Sequence, residues 1–284
     1  DKWNALNNDV NQPLMSRYKQ TYTPGSTMKP ITAAIGLETK TIDPDKDLGA
    51  KDKWQKDSSW GSYYVTTLHA PSPNNLKNAI TYSDNVYFAR SALNIGKENL
   101  FKYYKNLKIG KKVTFELALN KSQYINKNQK VNDQFIADSG YGQGQILMNP
   151  LQLASIYSSF VNEGSIYQPH IVQGKTKTWI KNVFSKETSQ TIKEDLINVI
   201  ADEKGTGHSI YHDNVTLAGK TGTAEIKQSK SDTTGTELGW FTVMTTDSKH
   251  PLLITTLVED VKDRGGSGYV VEHTKTPLDL YLSK

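Results

Sequence analysis

Apolar residues are densest between Ser26 and Leu37, where they cover nearly the whole circumference of a helix. They are Met28, Ile31, Ala33, Ala34, Ile35 and Leu37. A helix that is apolar on all sides is a buried one. Pro30 falls in its first turn, where the missing N–H is tolerated. The pattern therefore predicts a buried central helix that begins near Ser26.

Other segments also have helical patterns. Residues 75–94 are helical but interrupted around Ser83, residues 98–107 form another short pattern, and the chain is then polar and poorly patterned to about 135. At 149–164, Asn149 is a cap, Pro150 stands at the first helical position and Gly164 is the stop. Residues 186–202 carry one apolar stripe, which consists of Ile192, Leu196, Val199 and Ile200.

Everything after residue 202 is predicted to form strands. The segments VTLAGKTGTAEI, LGWFTVMT and LLITTLVED are separated by polar turns. Consecutive strands with short connections favour antiparallel pairing. The expected fold class is α/β (α+β): an antiparallel sheet flanked by helices, with a mostly helical subdomain at roughly 40–180 inserted between sheet-forming N- and C-terminal parts.

The amino-acid composition excludes only a few classes of function. The chain has 284 residues, a net charge of +5 and no cysteine, so disulfides and thiolate metal sites are excluded. Its lysines are dispersed rather than grouped in an arginine-rich block, which favours a solvated basic surface over nucleic-acid binding. Such a surface also suits an anionic cell-wall or membrane environment. His208 and His212 lie in a loop-like segment that does not indicate a metal site, so neither metal nor cofactor is expected.

No apolar run approaches the roughly 20 residues of a membrane span. The chain begins abruptly at DKWNAL. We therefore expect any targeting segment or anchor to lie outside this sequence.

Ser26 and Lys29 are three positions apart in TPGSTMKP, so on a helix they share one face. A serine hydroxyl becomes a nucleophile when a neighbour takes its proton. Burial and a second nearby cation would both favour the neutral form of a lysine that does so. Ser26 also stands at a helix start, where backbone N–H groups can stabilise an oxyanion.

The alternative is that Ser26 is only a helix cap, because serine is among the commonest caps. Ser16 and Lys19 have the same spacing, but no buried helix follows them, so we interpret that pair as accidental.

Two further motifs support the nucleophile interpretation. SDN at residues 83–85 interrupts a helical stretch and offers a second hydroxyl and an amide. KTGT at residues 220–223 lies on a predicted strand, where Gly222 allows a ligand to approach the backbone closely. The overlapping GKT resembles a phosphate-binding loop, but Asn214 stands where that motif needs glycine and no helix pattern follows.

SxxK, SDN and KTG in this order resemble the signature of penicillin-binding proteins and class A β-lactamases. Over essentially all of its length, the chain looks like the transpeptidase domain of a class B penicillin-binding protein. WQKDSSWGSYYVT and ADSGYGQGQILMNPLQ are similar to the low-affinity Gram-positive members, such as the staphylococcal methicillin-resistance protein. Some of that group have serine in the KTG motif, where this chain has Thr221.

The resemblance implies a penicillin-binding protein/serine β-lactamase-like fold and a D,D-transpeptidase that cross-links peptidoglycan. Ser26 would attack the carbonyl of a terminal D-Ala-D-Ala, release D-alanine and form an acyl-enzyme. An amine from a neighbouring stem peptide would then take the acyl group. β-Lactam antibiotics would mimic the dipeptide and leave Ser26 blocked.

The resemblance also implies the roles of single residues. Lys29 would be the base, Ser83 would relay the proton to the leaving nitrogen, and Asn85 would hold Lys29 and the substrate amide. Lys220 would supply positive potential, and the hydroxyls of Thr221 and Thr223 would meet the substrate carboxylate. The oxyanion hole would consist of the N–H groups of Ser26 and Thr223, with Gly222 between the two threonines. Three further residues either line the cleft or are structural: Tyr63, Tyr141 and Gln143.

The expected partners are peptidoglycan stem peptides, β-lactams and cell-wall synthesis proteins, with no nucleic acid. The full-length protein would lie outside the membrane and be tethered by an N-terminal anchor.

Two other functions remain open. A β-lactamase needs a carboxylate that activates water, and Glu116 in ELALN matches the ExxLN pattern of the class A deacylation loop. However, the interval from Ser83 to Lys220 is longer than in class A enzymes. A β-lactam sensor would share the serine and lysine, and acylation itself would be its signal.

Overall fold

The fold was analysed in a computed structural model that describes residues 2–174, 176–226 and 235–283. The helices are α1 (Lys2–Asn7), α2 (Lys29–Glu38), α3 (Leu76–Thr81), α4 (Asn85–Asn106), α5 (Asp133–Gly140), α6 (Pro150–Ser158), α7 (Lys186–Ala201) and α8 (Ser267–Leu282). The strands are β1 (Lys53–Trp54), β2 (Val65–Thr66), β3 (Ile166–Tyr167), β4 (Thr178–Ile180), β5 (Leu217–Ile226), β6 (Thr236–Thr245) and β7 (Leu253–Val258). Short 3₁₀ turns include Gly25–Met28 and His208–Ile210.

The main sheet is antiparallel with the order β5-β6-β7, as predicted. Successive side chains of a strand point to opposite faces. In β6, Leu238 and Trp240 join the larger core around α2 and α4, whereas Phe241 and Val243 pack in a second core against α8. Both faces of the sheet are therefore covered, and β5 lies at its edge among the described strands.

The predicted central helix is present, and it is buried as expected. Ile31, Ala33, Ala34 and Ile35 are all fully buried. The helix proper begins at Lys29, and Ser26 belongs to the 3₁₀ turn that precedes it.

The other predicted helices are also found. Asn149 accepts hydrogen bonds from two N–H groups at the start of α6, and Gly164 has a φ of +83° beyond its end. The interruption around Ser83 separates α3 from α4, and Gly96 breaks the helical geometry within α4.

The expectation that only strands follow residue 202 is wrong. The final 16 residues of regular structure form α8, which buries Val270, Val271, Thr274 and Leu278. Glycines before the helix and Pro277 within it obscure the signal, since both residue types disfavour helices. α5 was likewise not predicted, although Asn132 caps it by accepting from the N–H of Phe135.

All three strands of the main sheet come from the C-terminal part of the chain among the described residues. An N-terminal contribution to the sheet is therefore not seen there, and the subdomain boundaries at 40 and 180 stay a prediction. Within the described residues, no helix has the length and apolar character that crossing a membrane requires.

Candidate active site

Ser26 lies in the 3₁₀ turn Gly25–Met28, which we call the serine turn. Neither this turn nor α2 has a side-chain capping hydrogen bond, so the structure does not support the cap interpretation of Ser26. Instead, Ser26 Oγ is 2.8 Å from Lys29 Nζ, one turn further along the chain.

Contacts from distant segments hold the serine turn and the residues just before it. Trp240 Nε1 donates to the carbonyl of Thr23 (2.9 Å), and the Tyr157 hydroxyl donates to that of Thr27 (2.7 Å). The N–H of Gly25 donates to the carbonyl of Gly142 (3.0 Å). A Cβ at Gly142 would lie only 2.0 Å from the carbonyl oxygen of Gly25, so this close approach requires glycine.

The Lys29 amine is surrounded by four oxygens. They are Ser83 O (2.5 Å), Asn85 Oδ1 (2.7 Å), Ser26 Oγ (2.8 Å) and Ser83 Oγ (3.0 Å). The first two can only accept hydrogen bonds, whereas the two hydroxyls can also donate. A neutral amine has two N–H bonds for the two pure acceptors. Its lone pair is then left for a serine hydroxyl.

The electrostatic surroundings favour this neutral form. Lys29 is fully buried, and desolvation lowers its pKa well below the usual value. The charge of Lys220 lowers this pKa further, and the Asp84 carboxylate opposes the shift. A proton acceptor for Ser26 is therefore present in the site.

Lys220 lies on β5 and joins the strand to the SDN segment. Its Nζ donates to Ser83 Oγ (2.9 Å) and to the carbonyl of Thr221 (3.1 Å). Burial lowers its pKa from 10.5 to about 7. Because Lys29 contacts the same Ser83 hydroxyl, the three predicted motifs meet at one oxygen atom.

Ser83 and Asn85 are held by the connection between α3 and α4. Ser83 has a φ of +61°, which is unusual for a residue with a side chain. Asp84 caps α4 and accepts from the N–H groups of Val86 (2.7 Å) and Tyr87 (3.3 Å). Asn85 Nδ2 donates to the carbonyl of Thr66 (3.0 Å), which directs the oxygen of this amide towards Lys29.

The KTGT residues pack directly against the serine turn. A Cβ at Gly222 would lie 2.9 Å from Thr27 Cγ2, and one at Gly25 would lie 2.6 Å from the carbonyl oxygen of Thr223. Thr221 is nearly fully buried, and its hydroxyl is 2.7 Å from the hydroxyl of Thr206.

Tyr63, Tyr141 and Gln143 gather around Asp138. Both tyrosine hydroxyls donate to Asp138 Oδ1, and the N–H of Gln143 donates to the Asp138 carbonyl (3.0 Å). Burial and this carboxylate raise the pKa of both tyrosines. These contacts favour the structural interpretation of the three residues, because they hold the loop that carries Gly142.

The residues behind the alternative functions lie elsewhere. Glu116 is exposed in a loop, and its carboxylate accepts a hydrogen bond from the N–H of Ile171 (3.1 Å). Hydrogen bonds from backbone N–H groups, first its own and then that of Ile171, lower the pKa of this carboxyl group. Ser16 precedes a short 3₁₀ turn and makes no side-chain capping bond there.

Sequence reasoning missed two features beside the KTGT strand. The first is Thr206, whose contact with Thr221 has no local sequence signal. The second is the amino end of α8: a Cβ at Gly266 would lie 3.6 Å from Thr223 Oγ1 and 4.0 Å from Glu237 Oε2. This end was missed because the helix itself was not predicted.

Comparisons with known proteins show which family the chain is similar to. The family model described as penicillin binding protein transpeptidase domain matches residues 2–276. Penicillin-binding protein 3 of Bacillus subtilis is 42% identical over 279 residues, which cover 96% of this chain and 42% of the relative. Peptidoglycan D,D-transpeptidase MrdA of Haemophilus influenzae is 25% identical over 314 residues, which cover 100% of this chain and 48% of the relative. The chain thus spans less than half the length of either curated relative.

Solved structures share the fold. PBPA from Mycobacterium tuberculosis superimposes with a TM-score of 0.80 at 20% identity, covering 95% of this chain and 63% of that protein. The transpeptidase domain of Burkholderia pseudomallei penicillin-binding protein 3 gives a TM-score of 0.77 at 19% identity, covering 94% and 82%.

Proposed function

The chain belongs to the penicillin-binding protein transpeptidase family, in class B, and from this membership we propose that it is a serine-type D,D-transpeptidase that cross-links peptidoglycan. The observation that carries the proposal is the 2.8 Å contact between Ser26 Oγ and the buried Lys29 amine. Burial and the charge of Lys220 lower the pKa of Lys29, which favours the neutral amine that can take the Ser26 proton.

Acylation begins when Lys29 takes the Ser26 proton and the oxygen attacks the penultimate D-alanine carbonyl. The backbone N–H groups of Ser26 and Thr223 stabilise the oxyanion. The proton then moves from Lys29 through the Ser83 hydroxyl to the leaving nitrogen, as the carbon–nitrogen bond breaks and D-alanine departs. Ser83 Oγ suits this relay because it lies 3.0 Å from Lys29 Nζ and 2.9 Å from Lys220 Nζ.

In the second half of the reaction an amine of a neighbouring stem peptide attacks the acyl-enzyme. Lys29 is neutral again at this stage and takes the proton of the attacking amine. It returns this proton to the Ser26 oxygen as the new carbon–nitrogen bond forms and the ester bond to Ser26 breaks. Lys220, Thr221, Gly222 and Thr223 form the strand on which the acyl donor lies. β-Lactams acylate Ser26 in the same way and then remain attached.

The test is covalent labelling by penicillin, followed by mass spectrometry of the intact protein. Ser26→Ala should abolish the adduct. Ser16 also precedes a lysine by three positions, so Ser16→Ala is the matched control, and this variant should still form the adduct. An adduct that survives Ser26→Ala would overturn the nucleophile assignment.

A β-lactamase is the rival enzyme, and no observation favours it over the transpeptidase. Glu116 faces solvent and is bound to the backbone of Ile171, and the oxygens around Lys29 belong to Ser26, Ser83 and Asn85. The bound acyl group should therefore persist for hours, and Glu116→Gln should not change its lifetime. Release within seconds would favour the hydrolase instead.

A second assay distinguishes the transpeptidase from a β-lactam sensor that does not turn over. Persistence of the penicilloyl adduct fits a sensor as well as a transpeptidase. Transfer of the acyl group from a D-Ala-D-Ala peptide to an added amine acceptor should therefore be measured. Product formation that depends on Ser26 supports the transpeptidase, and its absence would favour the sensor.

The finer assignments belong to the same proposal. The protein is a low-affinity member of the family, works outside the membrane, is tethered by an N-terminal anchor and acts with other cell-wall synthesis proteins. The low-affinity assignment is supported by residues 54–66 and 137–152, whose sequences are similar to those of low-affinity Gram-positive members. Acylation by a β-lactam series should be slow, and fast acylation throughout the series would contradict it.

A further inference from the structure

Positive charge is concentrated in residues 97–130. This stretch contains nine lysines, two glutamates and no aspartate or arginine, so its formal charge is +7. The whole chain carries +5, so all other residues together carry −2. The net positive charge of the protein therefore comes from this stretch, although its lysines stand singly or as one pair along the sequence.

The fold brings several parts of this stretch together at Tyr124. The ring centre of Tyr124 lies 5.0 Å from that of Phe101 and 5.4 Å from that of Tyr104, both on α4. A Cβ at Gly110 would lie 3.9 Å from Tyr124 Cε1, so the loop after α4 reaches the same ring. Seven exposed lysines lie within four positions of one of these residues. They form what we call the lysine surface, which consists of Lys97, Lys102, Lys105, Lys111, Lys112, Lys121 and Lys127.

Three of these lysines border a shallow hollow on α4. Lys97, Phe101 and Lys105 recur every four positions, so they lie in one row along the helix. Neighbouring side chains in such a row are about 5–6 Å apart at their Cβ atoms. The hollow has a volume of about 410 Å³ and is lined by Lys97, Glu98, Phe101, Lys102, Lys105 and Asn106. An extended polymer that lies in it meets several amines in succession.

The seven amines have no anionic partner in the part of the chain that the structure describes. None of them joins an ion pair or donates a hydrogen bond there. Lys108 in the same stretch differs, because it is half-buried and its amine lies 5.3 Å from the ring centre of Trp179. Like charges that lie close together repel each other, and an anionic ligand would relieve this repulsion.

The residue types of the lysine surface favour phosphate as the anionic group. Arginine, whose planar fork matches a carboxylate, is absent from residues 97–130. The ammonium group of lysine is a compact point charge with three rotatable donors, so it binds a tetrahedral phosphate from any direction. Seven such charges in one region suit a ligand with many phosphates rather than one.

The surroundings disfavour a membrane and a nucleic acid. Binding in a membrane interface needs exposed apolar side chains beside the basic ones. Leu117 is the one large apolar side chain of residues 97–130, all of which the structure describes, that is exposed. Stacking of nucleobases needs accessible aromatic rings, whereas Phe101 and Tyr124 pack against each other.

We propose that the lysine surface binds a linear phosphodiester polymer that carries no nucleobases. Each ammonium group that contacts a phosphate displaces a counter-ion from the polymer, and the release of these ions drives binding. Such a polymer holds the domain within an anionic cell wall. This binding is independent of the chemistry at Ser26, because none of these lysines hydrogen-bonds to Ser26, Lys29 or Lys220.

The test measures binding of poly(glycerol phosphate) of defined length by isothermal titration calorimetry. If four amines contact phosphates, the affinity of the wild type should fall about fiftyfold between about 50 and 200 mM salt. A surface variant should bind at least about a hundredfold more weakly than the wild type at about 50 mM salt, and its affinity should depend less on salt. This variant combines Lys102→Gln, Lys105→Gln, Lys111→Gln and Lys112→Gln.

The matched control removes the same number of charges elsewhere. It combines Lys51→Gln, Lys204→Gln, Lys249→Gln and Lys275→Gln, all at exposed positions outside residues 97–130. Its affinity should stay within about threefold of the wild type, because salt screens charges that lie more than about 10 Å from the polymer. Both variants should keep the circular dichroism spectrum of the wild type and the penicillin adduct on Ser26, because all eight side chains are exposed.

Several results would overturn the assignment. Equal weakening in both variants would mean that only the net charge matters. Tighter binding to phosphatidylglycerol vesicles, poly-L-glutamate or a single-stranded oligonucleotide, compared at equal concentrations of charge, would assign the surface to a membrane, a carboxylate polymer or a nucleic acid instead. A wild type that forms the penicillin adduct but does not bind poly(glycerol phosphate) removes only this inference. A wild type that binds the polymer without forming the adduct removes only the proposed function.

Discussion

Replacing Lys220 by methionine should stabilise the protein near neutral pH while it removes activity. The amine is fully buried, and burial lowers its pKa from 10.5 to about 7. When the lysine is charged in both the folded and the unfolded state, this difference of about 3.5 pKa units lowers the free energy of unfolding by about 5 kcal/mol. Methionine fills a similar volume without a charge. It loses the hydrogen bonds to Ser83 and Thr221, which contribute about 2 kcal/mol together.

The sign of the effect depends on pH. A lysine whose folded pKa is lowered binds fewer protons in the folded state, so wild-type stability rises with pH. Below pH 7 the buried charge of Lys220 destabilises the folded protein by the full amount. Between about pH 7 and 10.5 this destabilisation falls by about 1.4 kcal/mol per pH unit, and above pH 10.5 it vanishes. Lys220→Met should thus be more stable than wild type by about 3 kcal/mol at pH 6. It should be less stable by about 2 kcal/mol near pH 10.5.

Urea unfolding followed by circular dichroism between pH 6 and 10.5 measures this difference. Lys97→Met on α4 is the matched control, because Lys97 is exposed, and its difference from wild type should be small at every pH. A Lys220→Met difference that stays constant with pH would refute the reasoning, since it would mean that the buried lysine does not titrate in this range.

Three further predictions concern the surroundings of Ser26. Asp84→Asn should move the acidic limb of the acylation rate to lower pH, because the carboxylate raises the pKa of Lys29; labelling rates from pH 5 to 9 test this, and a shift to higher pH would contradict it. Gly142→Ala should destabilise by more than about 2 kcal/mol and slow acylation, because its Cβ would overlap the serine turn. Gly144→Ala should cost only about 1 kcal/mol in the same urea unfolding assay, because Gly144 has a similar φ of +76° but a Cβ there would make no contact below 3.6 Å. Tyr157→Phe should cost about 1–3 kcal/mol by leaving a buried carbonyl of that turn without a donor, and unchanged stability would count against this contact.

The sequence was sufficient to predict the candidate site because each motif has a strong local signal. The i, i+3 spacing of Ser26 and Lys29 brings them together through local geometry alone. The interruption at Ser83 and the strand pattern around Lys220 are also local. Their meeting at one hydroxyl depends on tertiary packing, and only the order of the motifs along the chain indicated it.

Features without a local signal were missed. α8 contains Pro277 and follows two glycines, so its helix is stabilised by packing of Val270 and Leu278 against the sheet rather than by propensity. Thr206 contacts a threonine 15 positions further along the chain, across a turn whose shape depends on the end of α7. No residue pattern encodes such a contact.

Lys29 can act as a base because its amine makes no direct ion pair with a carboxylate among the described residues. Asp84 is the carboxylate that acts on it, yet the Asp84 oxygens accept from the N–H groups of Val86 and Tyr87 and from Asn74 Nδ2 (2.8 Å). Within the described part of the chain, the hydrogen bonds of the amine go to neutral oxygens alone. A direct ion pair would raise the pKa of Lys29 and hold it as a cation. The Asp84 carboxylate hydrogen-bonds to α4 and Asn74 rather than to the amine, so it opposes the lowered pKa of Lys29 only from a distance, and the lone pair is kept for the Ser26 proton.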